Sequence, residues 1–552
     1  MGLRIMDKSI NEENIERFAK LNAIGIALSA ERDLKSLIEL IVMGAKSLAN
    51  ADGGTLYIVT EDQKLKFEIM ITDSLDIKMG GTTGKPIPFA PIPLYHSDRT
   101  PNSSMIAAYS AINHQTINIH DAYTADGFDF SGTRAFDQKT GYRSKSFLTV
   151  PMKNHENEII GVLQLINAID AKTQAIIPFS EQSQHLAESL ASQAAVALTN
   201  HFLIEEFRLL FESFIGLIAK AIDDKSPYTG GHCRRVPTLT MLLAKAACET
   251  QQGIFKDFSM TEEELYELKI AGLLHDCGKV VTPVHVVDKA TKLETIYDRI
   301  DLIETRFEVL KRDAEIKLLK SKVAILEGRD RSDLQELELK YQAYLQQLES
   351  DRQFLRHCNI GSERMSDQDK ARLREISNHK WVNEQGNEVG FLTDDEFYNL
   401  DITHGTLNPE ERQIINDHMK VTIEMLEALP YPKNLRRVPE YAGGHHERMD
   451  GKGYPRGLTR EQMSIPARMM GIADIFEALS AADRPYKKGK TLTECLHILG
   501  KMKLSDHIDP DLFDLFISEQ VYLEYAQEFI APDQIDEVDL TKIPGYTPRI
   551  TN

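Results

Sequence analysis

The spacing of apolar residues changes about a third of the way along this 552-residue chain. Between residues 33 and 180, short runs rich in β-branched and apolar residues are bounded by Gly, Asn, Asp or Pro, as in ADGGTLYIV, SKSFLTVPM and EIIGVLQLINA. Such runs predict β-strands, and helical segments such as LKSLIELIVMGAKSLA precede them. Beyond residue 225 the spacing is helical almost throughout. We therefore expect a multidomain protein in which an α+β domain precedes an all-α domain.

The same patterns predict five segments along the chain. They are an N-terminal helix (1–30), the α+β domain (31–180), a connecting helix (181–224), the all-α domain (225–530) and an extended, acidic and Pro-containing tail (531–552). The length of the chain supports this division, because it exceeds what a single hydrophobic core supports.

The connecting segment carries no proline, and only Gly216 interrupts its strong helix formers. A helix of about forty residues is about 60 Å long, which is more than one small domain covers. Such a helix is either a buried bundle helix or a connector that pairs with a second chain. We expect the connector, and a homodimer formed through an apolar stripe that includes Leu198, Leu210 and Phe214.

Residues from about 290 to 403 are expected to form an insertion in the all-α domain. Apolar residues recur at alternating steps of four and three on both sides of the polar break GRDRSD, which predicts a coiled helical hairpin. The polar segment NHKWVNEQGNEVG near its end is expected to be a loop. The insertion either decorates the domain or acts as a lid or a dimer contact, and we favour decoration.

Charge and cysteine content exclude several classes of protein. The formal net charge of −20 argues against nucleic-acid polymers as partners, since binding them requires a basic surface. No apolar run approaches the roughly 18 residues that span a bilayer, and the charged N-terminus does not resemble a signal peptide. The five cysteines never form a CxxC pair, so neither a disulfide framework nor a zinc ribbon is expected. We expect a cytoplasmic protein without a membrane partner.

Four segments place histidine and aspartate in apolar, helical surroundings. They are SPYTGGHCRRV, LKIAGLLHDCGKV, NPEERQIINDHMKV and the stretch from AGGHHERMDGKGYPRGL to ARMMGIADIFEALSAADRPYK. Asp474 gives the strongest signal of these residues. The apolar runs MMGIA and IFEAL flank it, which predicts burial, and an unpaired buried carboxylate is costly. The pair His275-Asp276 follows IAGLL and presents the same cost. Such carboxylates predict a bound cation.

Together these segments supply enough nitrogen and oxygen ligands for two metal ions. The ligands are His232, His275, Asp276, His418, His445, His446 and Asp474. Imidazole and carboxylate suit iron, manganese or zinc. Two ions about 3.5–4 Å apart lower the pKa of a bound water and neutralise charge on a phosphoryl group. Lys279, one helical turn after the His-Asp pair, is expected to donate to a phosphate oxygen.

Three motifs, HDCGK, HHERMDGKGYPRGL and ADIFEALSAADRPYKKGK, resemble the HD-GYP phosphodiesterases, a branch of the HD metal-dependent phosphohydrolases. The resemblance covers about residues 215–290 and 404–520, and it implies two divalent metal ions, with Fe or Mn favoured. The implied ligands of the first ion are His232, His275, Asp276 and Asp474. The implied ligands of the second ion are His418, His445, His446 and the bridging Asp276.

The resemblance also implies roles in catalysis and substrate binding. The implied catalytic residues are Lys279 and Asp276. The implied substrate-binding residues are Lys279, the GYP triplet Gly453, Tyr454 and Pro455, and the basic residues Arg484 and Lys487. Some family members add a third metal ion through a glutamate four residues before the first histidine. Tyr228 stands at that position, so two ions are expected.

The implied activity is hydrolysis of cyclic di-GMP to linear pGpG, to GMP or to both. One alternative keeps the chemistry and changes the substrate to 3′3′-cyclic GMP-AMP. A second alternative is a catalytically inactive module that binds a cyclic dinucleotide or a protein. A third is a nucleotide phosphohydrolase of the wider HD group, which the GYP triplet disfavours.

The first domain resembles a GAF domain of the cyclic-nucleotide type over about residues 30–200, on the segments GYRSKSFLTVPM and IIGVLQLINA. Such domains often carry an Asn-Lys…Phe…Asp-Glu motif. Asn167 and Phe179 match it, whereas Ala168 and the pair Ser183-Gln184 depart from it. The resemblance implies a sensor for an unidentified small molecule, or a dimerisation module, that regulates the hydrolase.

Overall fold

The chain forms two compact units, Met1–Phe211 and Glu212–Asn552. The computed structural model describes residues 2–225, 231–328, 334–361, 364–383, 385–481 and 489–548, with the backbone alone for residues 2–14. Among these residues, no helix combines the length and the apolar character that crossing a bilayer requires.

The first unit is an antiparallel sheet covered by helices. Its elements are α1 (Gly2–Ala30), α2 (Leu34–Ala49), β1 (Ala51–Val59), β2 (Lys64–Thr72), β3 (Ile77–Gly80), β4 (Ile92–Pro93), α3 (Ile106–Asn113), β5 (Ile117–Ile119), α4 (Ser131–Thr140), β6 (Phe147–Lys153), β7 (Ile159–Ile169), β8 (Ile176–Ile177) and α5 (Glu181–Lys225), whose end belongs to the second unit. The strands pair in the order β3-β2-β1-β7-β6-β5, with β4 beside β2 and β8 beside β7. The predicted α+β domain is confirmed.

Both faces of the sheet contribute to a core. One cluster joins the sheet to α1, α2 and the first part of α5, and its buried members include Leu28, Ile41, Leu56, Leu163 and Leu190. Side chains alternate between the faces of a strand, so Tyr57 and Val162 lie in a second cluster with residues of α3.

Helix α2 illustrates how the sequence sets these elements. Asp33 caps its first turn by accepting a hydrogen bond from the Ser36 N–H at 2.8 Å, and Asn50 ends it in the left-handed conformation at φ 50°. Its buried residues recur every three or four positions and include Leu37, Ile38, Ile41, Val42 and Ala45. This stripe packs the helix against β1.

The predicted long helix is confirmed, since α5 has 45 residues and is about 68 Å long. Its apolar residues divide between two environments. Leu186 and Leu198 are buried in the core of the first unit, whereas Leu210 and Phe214 are more than half exposed. The stripe expected to pair with a second chain is therefore shorter than predicted, because the core of the first unit takes up the part before Phe202.

In the described part of the second unit, the regular elements are helices and one short ribbon. After the end of α5, its elements are α6 (His232–Glu249), α7 (Glu262–Leu274), α8 (Val284–Val287), α9 (Ile300–Glu327), α10 (Leu334–Ile360), α11 (Asp367–Ser377), β9 (Lys380–Val382), β10 (Glu388–Gly390), α12 (Asp394–Leu400), α13 (Pro409–Asn416), α14 (His418–Glu427), α15 (Val438–Gly443), α16 (Ile465–Ser480), α17 (Leu492–Leu504), α18 (Pro510–Ser518) and α19 (Val521–Phe529). The predicted helical C-terminal region is confirmed.

The ribbon β9–β10 lies in the segment NHKWVNEQGNEVG, where the sequence predicts a loop. Trp381 pairs with Val389, and Val382 pairs with Glu388. Trp381 also packs, partly buried, against a hydrophobic cluster of the insertion. This tertiary contact orders one strand, and the polar composition of the segment does not reveal it.

Helices α9 and α10 pack against each other, as the heptad pattern predicts. Ile303, Phe307 and Leu348 are fully buried, whereas Ile296, which precedes α9 at the same spacing, is exposed. These side chains belong to a cluster of buried residues that runs from Leu293 to Leu400, so the insertion has a core of its own.

Lys292 joins the two ends of the insertion. Its buried ammonium donates to the carbonyls of Leu400 at 3.0 Å and Ile402 at 2.6 Å. Its backbone N–H donates to the carbonyl of Asn359 at 2.8 Å. These bonds bring the start and the end of the insertion together, so a long addition leaves the rest of the domain continuous.

The segment predicted as an extended tail contains two short 3-10 turns, Pro532–Gln534 and Leu540–Lys542. The Gln534 amide donates to the carbonyls of Ser480 and Lys490, both at 2.9 Å. These two carbonyls lie on either side of residues 482–488, so the tail fixes the flanks of the segment that carries the predicted phosphate contacts.

Candidate metal centre

Elements far apart in sequence bring the seven predicted ligands together. Helix α6 begins at His232, His275 and Asp276 directly follow α7, and α14 begins at His418. The other three ligands are His445 and His446 after α15 and Asp474 within α16. Six of the seven are buried, and His446 is half-buried.

Local signals set where these helices begin. A capping box between Thr261 and Glu264 starts α7, which is followed by His275 after 13 residues. Ser464 caps α16 by accepting from the Ala467 N–H, and Pro466 lies in its first turn. The register of each helix is thus fixed at its start, and that register decides which residue meets the site.

Three of the histidines are oriented in the same way. The Nδ1 atom of His275 bonds to the Gly272 carbonyl at 2.6 Å, and that of His445 bonds to the Ala442 carbonyl at 2.7 Å. The Nδ1 atom of His418 bonds to the carbonyl of Ile415 in the same manner. Because a carbonyl only accepts, Nδ1 carries a proton, and Nε2 is the atom left facing the site. That arrangement is the one a metal ligand requires.

The ligand atoms form two groups that share Asp276. In the first group, His232 Nε2 lies 3.2 Å from both Asp276 Oδ2 and Asp474 Oδ1, and His275 Nε2 lies 3.3 Å from Asp276 Oδ2. In the second group, His418 Nε2 lies 3.2 Å from Asp276 Oδ1, and His445 Nε2 lies 4.0 Å from it. Asp276 therefore directs one oxygen to each group.

The second group fits a cation. The observation that indicates this does not depend on a resemblance to any family. Asp276 Oδ1, His418 Nε2 and His445 Nε2 are buried and have no hydrogen-bond partner. All three atoms are acceptors, and acceptors that face one another in a dry interior repel unless a cation lies between them. His446 completes this group of possible ligands, as His232, His275 and Asp276 form the other.

The charges of the two groups differ. Burial lowers the pKa of His445 well below its ordinary value, and burial together with the charge of His418 lowers the pKa of His446 to about 4. Burial also opposes the charged form of His275, but the negative charge of Asp276 outweighs it and raises the pKa of His275 to about 9. The imidazoles of His445 and His446 in the second group therefore favour the neutral form, whereas that of His275 in the first group favours the charged form.

Glu477 belongs to the site, although the sequence reasoning did not select it. It is 1% exposed, it bonds to His232 Nδ1, and it accepts from Arg235 Nε at 2.7 Å. Burial lowers the pKa of His232, but the charge of Glu477 and bonds to Asp276 and Asp474 outweigh burial and raise this pKa well above its ordinary value. The signal was available, since Glu477 lies one helical turn after Asp474 in the same apolar segment.

The GYP triplet lies against the second group. The ring of Tyr454 stacks on the ring of His446 with centroids 4.8 Å apart. The backbone N–H of Tyr454 donates to the backbone carbonyl of His446 at 3.2 Å. Gly453 is required for this approach, because a Cβ there would lie 2.4 Å from the Cα of Glu447. Pro455 follows Tyr454 in the same turn.

Glu447 holds the loop that carries the triplet. Its buried carboxylate accepts from the N–H of Arg456 at 2.7 Å and of Leu458 at 2.9 Å. The sequence reasoning did not select this residue. A glutamate directly after His446 in a glycine-rich loop gave no sign that it would be buried.

Lys279 lies at the site, where its Nζ atom is 2.6 Å from Asp276 Oδ2. Its predicted contact with a substrate phosphate stays a prediction. Arg484 and Lys487, the other predicted phosphate contacts, lie outside the described residues, as does Tyr228, on which the prediction of two rather than three ions rests.

Comparison with known families agrees with these two units. A family model for the GAF domain matches residues 33–198, and one for the HD domain matches residues 389–512. The chain carries a GAF domain and an HD domain. The HD match contains His418, His445, His446 and Asp474 but begins after His232 and the His275-Asp276 pair. HD phosphohydrolases bind divalent metal ions, which agrees with the two candidate ligand groups.

Curated relatives match parts of the chain. A 3′3′-cGAMP-specific phosphodiesterase 1 of Vibrio cholerae is 37% identical over 123 residues, which are 21% of this chain and 27% of the relative. The cyclic di-GMP phosphodiesterase PA4108 of Pseudomonas aeruginosa is 44% identical over 73 residues, 13% of this chain and 17% of the relative. A cyclic di-GMP phosphodiesterase of Thermotoga maritima is 40% identical over 90 residues, 16% and 24% respectively. The chain spans less than a third of the length of each.

Proposed function

We propose that this chain is a metal-dependent phosphodiesterase that hydrolyses cyclic di-GMP to linear pGpG, to GMP or to both, under the control of its GAF domain. The observation that supports this most is the shared Asp276, which directs one carboxylate oxygen to each of two groups of metal-ligating side chains. The names of the curated relatives support the class of substrate. We keep the segment boundaries predicted from the sequence for this enzyme, with residues 225–530 as the hydrolase.

Two divalent ions, with Fe or Mn favoured, are the proposed cofactors. The first is held by His232, His275, Asp276 and Asp474. The second is held by His418, His445, His446 and Asp276. When bound, such ions lower the pKa of a water and offset the negative charge that develops on a phosphoryl group.

The side chains of the protein bind and orient the substrate in this proposal. Lys279 exchanges its contact with Asp276 for a phosphate oxygen of the dinucleotide, and Arg484 and Lys487 are proposed to bind phosphate as well. The loop with Gly453, Tyr454 and Pro455 forms the wall beside the second ion. Water adds to phosphorus and the bond to the 3′ oxygen breaks, which gives a linear product with a 5′ phosphate.

A second substrate has support from one comparison. The Vibrio cholerae relative is named for 3′3′-cGAMP, which offers the same phosphates with one adenine in place of a guanine. The phosphate contacts proposed above treat both dinucleotides alike. A catalytically inactive binding module is the third candidate, and the filled set of ligand positions argues against it.

The decisive experiment combines metal analysis with an assay on one anaerobically purified sample. We expect two ions per chain and cleavage of cyclic di-GMP, and a matched assay with 3′3′-cGAMP ranks the two substrates. His275→Ala should abolish cleavage, whereas His285→Ala, a change at an exposed histidine nearby, should not. A metal-loaded sample that binds either dinucleotide without cleaving it would overturn the enzyme and favour the binding module.

We also propose a homodimer through α5. Apolar residues beyond the core of the first unit follow alternating steps of four and three and are 51–68% exposed, namely Leu203, Phe207, Leu210, Phe214 and Leu217. This is the a/d pattern of a two-stranded coiled coil. Phe207→Glu with Phe214→Glu should convert a dimer to a monomer in sedimentation equilibrium, whereas Leu339→Glu on α10 should not. A monomeric wild-type protein would contradict the dimer.

The GAF domain is proposed to bind a small molecule whose identity the sequence does not reveal. The five cysteines are all unpaired thiols, which agrees with the cytoplasmic location that we propose.

A further inference from the structure

The end of α5 contacts the segment that carries His232. Asp223 is 5% exposed, and its carboxylate accepts from the N–H of Gly231 at 3.1 Å and of Cys233 at 3.2 Å. These two residues flank His232 on either side. The carboxylate therefore fixes the backbone from which the His232 ring projects, because a buried acceptor with two N–H donors has little freedom to move.

Two residues further on, α5 contacts the turn that follows the other ligands of the first group. The Lys225 ammonium donates to the carbonyls of Lys279 at 2.8 Å, Val280 at 2.5 Å and Thr282 at 2.6 Å. An ammonium has three N–H donors, and these three carbonyls use all of them. They belong to the 3-10 turn Cys277–Val281 and its cap, directly after His275-Asp276.

The second group is held differently. His418 and His445 are each fixed by a carbonyl three residues earlier in their own segment. Their orientation therefore follows from local backbone, as does that of His275, whereas His232 is held by Glu477 of α16 and the backbone on either side of it by Asp223 of α5.

We propose that Asp223 and Lys225 are positioning residues of the first metal site, through which α5 acts on His232 and on His275-Asp276. This inference rests on the proposed function, because it concerns the metal site of that enzyme. Helix α5 is continuous from Glu181 to Lys225. A rotation or shift of the helix end moves the carboxylate and the ammonium together, and it alters the first site while the histidines of the second keep their local supports.

The test measures metal affinity in the full-length protein, in backgrounds that each retain one site. His418→Ala leaves the first group intact, and His275→Ala leaves the histidines of the second group intact. Asp223→Ala and Lys225→Met are each added to both backgrounds, and Mn²⁺ binding to the chelator-treated protein is measured by titration calorimetry. We expect a loss of affinity of about 10-fold to 100-fold in the His418→Ala background and less than about twofold in the His275→Ala background.

Matched controls separate positioning from general destabilisation. Asp224→Asn and Lys220→Met remove the same charges from exposed positions of the same helix and should leave affinity unchanged. Asp223→Asn keeps a hydrogen-bond acceptor, and Lys225→Arg keeps N–H donors. Both variants should therefore recover part of the lost affinity and unfold at the same temperature as the wild type.

Two results would overturn the inference. Equal losses in both backgrounds would assign Asp223 and Lys225 to the fold as a whole, and unchanged affinity in the His418→Ala background would remove them from the first site. A wild-type protein that binds no Mn²⁺ and cleaves no cyclic dinucleotide would instead overturn the proposed function, and the inference with it. If the wild type binds two ions and is fully active, the proposed function holds, and a negative result with the variants then counts against the inference alone.

Discussion

The two groups of the candidate metal centre, called its two halves below, share one aspartate but are held in place by different interactions. In the half with His418 and His445, each ring is fixed by a carbonyl three residues earlier, and burial lowers the pKa of His445 well below its ordinary value. In the half with His232 and His275, carboxylates raise the pKa of both imidazoles, chiefly Glu477 of α16 at His232 and the neighbouring Asp276 at His275. His418, His445 and His275 are thus oriented locally, whereas His232 depends on a carboxylate from a distant helix.

This difference predicts where the site is vulnerable. The His232 side chain bonds to Glu477, which lies 245 positions away in the sequence, so the first half forms only when α6 and α16 pack correctly. The second half needs α14, the loop after α15 and the shared Asp276, which follows α7. Disturbances of the fold, of pH or of the connecting helix should therefore act on the first half before the second.

The largest effect is expected from the one residue that both halves share. Asp276→Asn removes the charge that holds two cations, and we expect loss of both ions and a fall in kcat/KM of at least about 10³-fold, or about 4 kcal/mol. Asp257→Asn is the matched control, because Asp257 is 87% exposed. Metal analysis of the purified variant and steady-state kinetics check this prediction. A variant that still binds one ion tightly would contradict the role of Asp276 in both halves.

The next effect should be confined to the first half. Glu477→Gln keeps the shape and loses the charge that orients His232, and we expect metal affinity at that half to fall about 10-fold to 100-fold. Competition with a fluorescent chelator measures the affinity. In the His275→Ala background, where the second half remains, the same substitution should have no effect, and an equal loss there would show that the halves are not independent.

Proton release should also distinguish the halves. His275, with a pKa of about 9, is protonated at pH 7.5 in the metal-free protein and must lose its proton to bind an ion. His446, with a pKa of about 4, has no proton to lose. Between pH 7.5 and 9, affinity at the first half should rise about tenfold per pH unit for each proton released.

Calorimetry in two buffers of different ionisation enthalpy counts these protons at pH 7.5. His275→Ala should lower the count by about one, and His446→Ala should leave it unchanged. A count that falls equally in both variants would contradict the difference in charge between the halves.

The smallest predicted effect concerns the loop beside the second half. Glu447→Gln weakens the bonds to the N–H groups of Arg456 and Leu458, and a lost bond of about 1 kcal/mol corresponds to about a fivefold rise in KM. Metal content should not change, because Glu447 contacts the loop and not a ligand ring. Loss of an ion from this variant would show that the loop supports the second half directly.

The carboxylates among the predicted ligands stand out in the sequence because burying them carries a physical cost. A carboxylate such as Asp474 between apolar runs requires a partner in any fold, and the His-Asp pair presents the same requirement. The two-domain fold was predictable for a similar reason, since strand and helix periodicities separate along the chain.

Residues whose role depends on packing were not predictable. Glu477 gave the same signal as Asp474, yet only the structure identifies its partner as His232. Asp223 and Lys225 resemble any charged residues near the end of a helix, and their importance arises from the turn against which the helix packs. For the same reason the sequence did not reveal that Leu198 is buried in the core of the first unit.

A crystal structure of the protein loaded with Mn²⁺, with anomalous diffraction recorded near the manganese edge, tests the central claim most directly. We predict two anomalous peaks about 4 Å apart, with one carboxylate oxygen of Asp276 bound to each. A single peak, or peaks that Asp276 does not bridge, would contradict the account.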